Sequence, residues 1–150
     1  MTDAHAVSAA VTEMSDLSTS FLVEKMIDNV VAELIVGVAR DEQFGPYILV
    51  GGGGTLVEMM KDSESLILQT TKAWVLQALG QLKCAPLLKG FRGGPPADLE
   101  AAADAIMAIA AMVEKDPGSI IELDVNPLLV LAEGKGVVAA DALARVKNKK

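Results

Sequence analysis

The sequence predicts an α+β domain built on a mixed or antiparallel sheet. Three observations lead there. The apolar pattern orders the elements as helix, strands, two helices, strands; such segregation favours helices packed on one sheet over an alternating βαβ winding. The chain has 150 residues, 51% of them apolar and 22% charged, enough to bury one core and too apolar for a disordered chain. Aromatic residues make up only 3%, so the core must come from Ala, Val, Leu, Ile and Met. No internal repeat and no dividing linker is visible. Residues 1–150 therefore read as one unit, with an ordered core over 3–146 and a basic tail over 147–150.

Each element has a local reason. Residues 3–15 (DAHAVSAAVTEMS) predict a short helix, because Val7, Ala10, Val11 and Met14 recur on one face. Asp16 to Ser20 is a polar break. Phe21 to Ile27 (FLVEKMI) predicts a strand, Asp28-Asn29 a turn, and Ala32 to Arg40 (AELIVGVAR) a second strand, together a hairpin. Gly37 inside that strand marks a bulge or a close approach. Asp41 to Pro46 is a loop. Tyr47 to Val50 starts a third strand that runs into Gly51 to Gly54. Residues 55–61 fit strand or helix, and Ser65 to Thr70 reads as a strand.

Thr71 to Cys84 predicts a helix stopped by Ala85-Pro86, since a residue before proline disfavours the helical region. Residues 91–96 (FRGGPP) form a loop. Asp98 caps an Ala-rich helix to about Lys115. With Ala101 where a capping box wants Glu or Gln, that start rests on Asp98 alone. Asp116-Pro117-Gly118 ends it. Ile120 to Val125, Leu128 to Ala132 and Val137 to Ala140 read as short strands, and residues 145–150 (RVKNKK) as a basic, frayed run.

Composition excludes several function classes. Mean hydropathy is +0.39, yet the longest apolar run, Ala105 to Val113, falls far short of the about 20 residues a spanning helix needs. The N-terminus, with Asp3, His5 and Glu13, lacks a basic-then-apolar export pattern. Cys84 is the sole cysteine and His5 the sole histidine, which excludes a disulfide framework, a zinc cysteine cluster and a multi-His site in one chain. A net charge of −7 opposes nucleic acid on average. The expectation is a cytoplasmic, acidic, soluble protein with neither nucleic acid nor membrane as partner. Cys84 reads as a buried structural thiol, Met26, Met59, Met60, Met107 and Met112 as core filler, and Trp74 and Tyr47 as packing residues.

Three features carry chemistry. The four glycines at 51–54 either cradle phosphates with backbone N–H groups or form a flexible turn; neither a P-loop nor a GxGxxG pattern is present. Arg92, flanked by Phe91 and Gly93-Gly94, either binds phosphate oxygens or is an ordinary surface arginine. In residues 120–127 (IIELDVNP), strand alternation puts Glu122, Asp124 and Asn126 on one face and Ile121, Leu123 and Val125 on the other. That oxygen row either holds Mg²⁺ or faces solvent, and Asp141 reaches the same face if its strand returns antiparallel.

Taken in order, residues 21–27 (FLVEKMI) and 32–38 (AELIVGV), residues 41–46 (DEQFGP), the glycine run with Val57-Glu58, residues 88–94 (LKGFRGG), residues 122–127 (ELDVNP) and Ala140-Asp141-Ala142 resemble the ATP-grasp part of NDP-forming acyl-CoA synthetases, relatives of succinyl-CoA synthetase β subunits. The resemblance covers about residues 3–146 and implies the C-terminal subdomain of an ATP-grasp module. It implies ATP or ADP and Mg²⁺ as cofactors. Glu24, Lys25, Met26 and Ile27 would hold adenine through backbone groups, and Glu33 would face the ribose or the polar end of the nucleotide. Gly52, Gly53, Gly54 and Arg92 would line the phosphate channel, Asn126 and Asp141 would be Mg²⁺ ligands, and Asp124 would assist metal or phosphoryl transfer.

The resemblance also implies what the chain lacks. The family's N-terminal grasp half, with its phosphate-binding lysine, and the CoA-binding domains have no counterpart here. His5 does not sit where the family's phosphorylated histidine would. Partners are then the remaining synthetase domains or subunits, or a second copy in a homodimer. The rival expectations are a regulatory or assembly module derived from an ATP-grasp domain, and an anion-binding protein indifferent to Mg²⁺.

Overall fold

The computed structural model describes residues 3–54 and 62–147. Its frame is β1 (Val30–Asp41), a strand whose side chains alternate strictly in their surroundings. Ala32, Leu34, Val36 and Val38 are buried, whereas Glu33, Ile35, Gly37 and Ala39 point to the opposite face. β2 (Gly45–Gly52) pairs along one edge of β1 and β4 (Ile120–Leu131) along the other. β3 (Ser63–Ile67) extends the sheet beyond β2. The far edge of β4 is shared: β5 (Val137–Ala139) takes Leu128 to Val130, and β6 (Ala142–Val146) takes Ile120 to Val125. Every pairing is antiparallel, giving the order β3-β2-β1-β4-β5 with β6 beside β4.

Among the described residues, the two long helices pack on one face of the sheet. α2 (Lys72–Gln81) and α4 (Leu99–Lys115) pack on Leu34, Val36, Ile48, Val50 and Val130 through Val75, Leu79, Ile106 and Val113, all fully buried. This is the predicted α+β class, with the core made of aliphatic side chains as composition required. No helix among the described residues is long and apolar enough to cross a membrane.

Capping fixes the helix starts. Thr71 Oγ1 accepts the Trp74 N–H at 3.4 Å at the start of α2. Lys72 bridges α2 to α4 through Glu100 at 2.8 Å and Asp104 at 2.6 Å, and these partners, Asp104 first, raise its pKa. Asp98 begins α4 as the sequence predicts, its Oδ1 accepting the Ala101 N–H at 3.1 Å. Its second oxygen accepts the Gly136 N–H at 2.8 Å, so one buried carboxylate ties the helix start to the β4–β5 turn. These donors, Gly136 first and then Ala101, hold its pKa below the ordinary carboxylate range. Asp3 caps α1 (Ala4–Glu13) through the Ala6 N–H. No residue of α1 is buried.

Several expectations are corrected. Residues 21–27 form no strand, despite their β-prone composition. The hairpin instead joins β1 to β2. Asp41 closes it by accepting the Phe44 and Gln43 N–H groups at 2.9 and 2.8 Å, which lower its pKa, Phe44 chiefly. The helix from Thr71 stops at Gln81. Pro86 begins a short helix, α3 (Ala85–Leu88), where its missing N–H is not needed, rather than ending a long one. Ile120 to Leu131 is one strand, because the bonds to β1 resume past Asn126-Pro127 with one extra residue on β4. The Asn126–Pro127 peptide is cis. Arg145 and Val146 belong to β6 and are not a frayed tail. Gly37 is neither bulged nor crowded: it pairs in register with Leu49 and Asp124. Met26, Met112 and Trp74 are exposed rather than core. Residues 55–61, with Met59 and Met60, and residues 148–150 lie outside the described residues.

The glycine run has a packing reason. A Cβ on Gly51 would lie 2.8 Å from the Asp62 carbonyl oxygen, and one on Gly53 would lie 2.8 Å from the Glu33 backbone. A Cβ on Gly52 would press on the Asp62 carboxylate at 3.1 Å and the Cys84 sulfur at 3.2 Å. Gly54, at φ 91°, turns the chain in a conformation that favours glycine.

Two outcomes follow from this packing. Asp98→Ala is expected to lower Tm by about 3–6 °C at neutral pH. A carboxylate with a lowered folded pKa stabilises above its unfolded value of about 3.9, and that contribution fades as pH falls through the folded value. The Tm gap between Asp98→Ala and wild type should therefore close in melts run toward pH 3, and a gap that persists there would refute the assignment. Gly53→Ala is expected to cost about 1–3 kcal/mol in urea unfolding. Gly37→Ala, whose Cβ would sit 3.6 Å from the Leu123 carbonyl oxygen, should stay within about 0.5 kcal/mol of wild type.

Candidate functional site

The sheet face opposite the helices carries the polar residues that the alternation of β1 and β4 sends there. A cleft of about 610 Å³ lies on this face, lined by Ile35, Gly37, Leu49, Glu122, Asp124, Asn126 and others. Leu123 and Val125 are buried in the core, so the sequence reading of this stretch holds over 122–126. It fails at 121. A register shift between Ile120 and Glu122 buries Ile120 and brings Ile121 to the cleft.

The crossover from β5 to β6 brings Asp141 to Asn126. The Asn126 N–H donates to the Asp141 carbonyl at 3.1 Å, and the Ala140 N–H donates to the Pro127 carbonyl at 3.0 Å. Asp141 Oδ1 accepts the Ala142 N–H at 2.8 Å, which orients the carboxylate. Asp141 therefore lies between strands rather than at the end of one. Asp124 stands two residues from Asn126 and lines the same cleft. Two carboxylates and an amide oxygen are hard donors of the kind Mg²⁺ takes, so the residues present suit that ion. Among the described residues, no three His, Cys, Asp or Glu side chains converge into a metal cage; the set here needs the Asn126 amide.

Glu33 lies on the same face, further toward the start of β1. The Gly53 N–H donates to its carbonyl at 2.6 Å, and a Cβ on Gly54 would lie 3.5 Å from its Oε2. The Gly52 N–H donates to the Asp62 carbonyl at 3.1 Å. Two amides of the glycine run are thus engaged within the chain and are not free to hold a phosphate.

Arg92 lies elsewhere. It sits on an exposed loop at φ 50°, with its guanidinium 5.2 Å from the centre of the Phe91 ring. Phe91, Gly94 and Pro95 border a cleft of about 340 Å³ together with Asn29, Val30 and Val31. That is the start of β1, whereas Asp124 pairs with Gly37, about 23 Å further along the strand. The structure does not bring Arg92 and Asp124 together. Glu24, Lys25 and Met26 form an exposed approach to the same end of β1, and Ile27 is half-buried. His5 is exposed on α1.

Sequence reasoning missed Asp62, Arg40 and Arg145. Asp62 is buried, and its carboxylate accepts the Lys83 N–H at 2.6 Å and the Cys84 N–H at 2.9 Å. No local pattern announces a residue whose partners lie more than twenty positions away. Burial first, then the charge of Asp62, pushes the Cys84 thiol up to about 11. Cys84 is therefore protonated at neutral pH and a poor nucleophile, as expected of a structural thiol, but it is half-buried at the margin of the core rather than fully buried. Arg40 and Arg145 line the cleft from β1 and β6. Arg145 was hidden by its place in a lysine-rich run.

Known proteins share this architecture. A model of the ATP-grasp domain matches residues 1–146. The trans-feruloyl-CoA synthase FCS1 of an unknown prokaryotic organism is 41% identical over 127 residues, 85% of this chain and 18% of that protein. Subunit beta of the ADP-forming acetate–CoA ligase II of Pyrococcus furiosus is 38% identical over 116 residues, 77% of this chain and 49% of that subunit. The crystal structure of PH1788 from Pyrococcus horikoshii matches with a TM-score of 0.77 at 32% identity, covering 83% of this chain and 52% of that one. The dinucleotide-forming acetyl-coenzyme A synthetase 1 of Ca. Korarchaeum cryptofilum, in complex with coenzyme A and Mg-AMPPCP, matches with a TM-score of 0.77 at 29% identity, over 95% of this chain and 64% of that one. The chain thus spans about half the length of the ligase subunit and under a fifth of the feruloyl-CoA synthase. The antiparallel sheet covered on one face, the polar row on the other and these likenesses agree: the chain belongs to the ATP-grasp domain family and resembles the ATP-grasp part of ADP-forming acyl-CoA synthetases.

Proposed function

We propose that this chain forms the metal–nucleotide wall of an ADP-forming acyl-CoA synthetase, which converts acid, CoA and ATP into acyl-CoA, ADP and phosphate. The observation that carries this reading is the backbone bond that sets Asp141 against Asn126, which lines the cleft of the uncovered sheet face with Asp124. Phosphoryl transfer asks little covalent chemistry of a protein; it needs the phosphates held in line and their charge neutralised. A bound Mg²⁺ would supply charge neutralisation, and Asn126 and Asp141 would hold it. Asp124 adds a carboxylate at the same place. Glu33 stands toward the ribose, with Gly53 and Gly54 packed close enough to fix it. Glu24 to Ile27 offer backbone groups to adenine at the start of β1. Arg92 belongs to that end of the nucleotide rather than to the Asp124 end, and Gly52 serves the site by its small size.

ATP or ADP and Mg²⁺ are the cofactors of this reading, supported by the Mg-AMPPCP held by the Korarchaeum relative. The partners are the remaining synthetase domains or subunits: the grasp half that closes over the nucleotide and the part that binds CoA. The reading places the protein in the cytoplasm. A second reading, an assembly module that pairs with itself or a neighbour, draws on the exposed Leu17, Leu22, Val23 and Met26.

Calorimetric titration with ADP and ATP, with and without Mg²⁺, separates the two. The nucleotide wall predicts Mg²⁺-dependent binding that weakens at least about tenfold, about 1.4 kcal/mol, in Asn126→Ala/Asp141→Ala. Circular dichroism of the variant should match wild type. Absence of binding at millimolar nucleotide, with the chain dimeric in sedimentation, would favour the assembly module.

A further inference from the structure

We propose that Arg145 confines divalent-cation binding on the uncovered sheet face to the Asp124 end of the cleft, by withdrawing Glu122 from the acidic row. The inference rests on the metal–nucleotide reading above and assigns a positioning role to a residue outside it. β4 presents Glu122, Asp124 and Asn126 along one face. Left alone, Glu122 would be a third oxygen donor about 7 Å along the strand from Asp124. A cation attracted to this row would then have two competing positions.

β6 resolves the competition. Its register sets Arg145 opposite Glu122 and Leu143 opposite Asp124. Arg145 Nη2 lies 3.1 Å from Glu122 Oε2, and both residues line the cleft. Among the described residues, no cation pairs with Asp124. The other guanidinium of the cleft, that of Arg40, donates through Nε and Nη2 to the Ile120 carbonyl at 3.3 and 3.2 Å. The cleft is therefore polarised. One end holds two guanidinium groups and the neutralised Glu122; the other holds Asp124 and Asn126, with Asp141 alongside. A cation is repelled from the first end and drawn to the second, and an anionic phosphate carried with it meets positive charge on its outer side. The Glu122 and Arg145 side chains are 51 and 65% exposed, so the pair contributes little to stability and its removal leaves the fold available for measurement.

The test is Mn²⁺ titration of the full chain without nucleotide, with free Mn²⁺ read by electron paramagnetic resonance. Arg145→Gln should bind Mn²⁺ about three- to tenfold more tightly, or take up a second ion, because it frees Glu122 and removes a neighbouring positive charge. Arg145→Gln/Glu122→Gln removes equal and opposite charges and should return to within about twofold of wild type. Arg145→Lys keeps the charge, guards against a folding defect and should also match wild type. Asp124→Asn should weaken binding in every background. If Arg145→Gln leaves affinity and stoichiometry unchanged while Asp124→Asn weakens binding, the metal site stands and the role of Arg145 falls. If neither wild type nor Arg145→Gln binds Mn²⁺, the metal reading itself falls and takes the proposal with it.

Discussion

The structure depends on β1 being paired on both edges over its middle, Leu34 to Val38, and divided by face. Its backbone N–H and C=O groups pair with β2 and β4, which satisfies the polar backbone of a strand set against the core. Its side chains then have only two destinations. Ala32, Leu34, Val36 and Val38 meet the helices; Glu33, Ile35, Gly37 and Ala39 do not. The register transfers this division outward, so that Leu49 beside Gly37 and Asp124 across from it share the uncovered face. A slip of one residue would send Asp124 into the core and Leu123 to the cleft. The order of the candidate site along the sheet is a consequence: residues 24–27 and the Arg92 loop near Val30, the glycines at Glu33, Asn126 and Asp141 near Ile35, and Asp124 at Gly37.

Carboxylates in this protein do two kinds of work. Asp62 and Asp98 are buried and accept backbone N–H groups from segments distant in sequence. A buried charge is tolerated only when it is so bonded, and each such bond fixes where a loop must lie. Asp62 holds the turn before α3 against the end of β2, where the glycines pass within contact of Glu33. Asp98 holds the β4–β5 turn and so the strand that leads to Asp141. The carboxylates of the uncovered face differ: among the described residues Asp124 has no such neighbours, Glu122 has Arg145, and Asp141 beside the cleft keeps one oxygen on its own chain. The buried carboxylates place the loops, whereas those of the uncovered face keep oxygens that no backbone N–H takes.

What the sequence made legible was whatever is encoded locally. Apolar, β-prone composition marked residues 32–40 as a strand, and period-two alternation marked 122–126, because one face of that strand is buried and the other is not. Alanine-rich composition and the Asp98 cap marked 99–115. The motif succession marked the family and the candidate nucleotide residues, and Asn126 and Asp141 do meet. Long-range competition was not legible. Residues 21–27 have strand composition but pair with no strand. Pro86 stops a helix or starts one depending on where the chain has already turned, and Asp62 decides that through the Lys83 and Cys84 N–H groups. Asn126-Pro127 looks like a break between strands, yet β1 spans it and makes β4 continuous. Arg145 looks like part of a tail until β4 supplies an edge and Glu122 a counter-charge. The glycine run suggested free amides; the fold spends those of Gly52 and Gly53 on Asp62 and Glu33.

The central claim is that site residues are ordered along β1, with the metal at its Gly37 end and the base at its Val30 end. Paramagnetic broadening of backbone amide resonances by Mn²⁺ in the presence of ADP tests it most directly. The account predicts broadening centred on Asp124 to Asn126 and on Asp141 and Ala142, with Glu24 to Ile27 shifted by nucleotide but little broadened. Broadening centred on the Phe91–Arg92 loop or on Glu24 to Ile27, with Asp124 and Asp141 untouched, would contradict it.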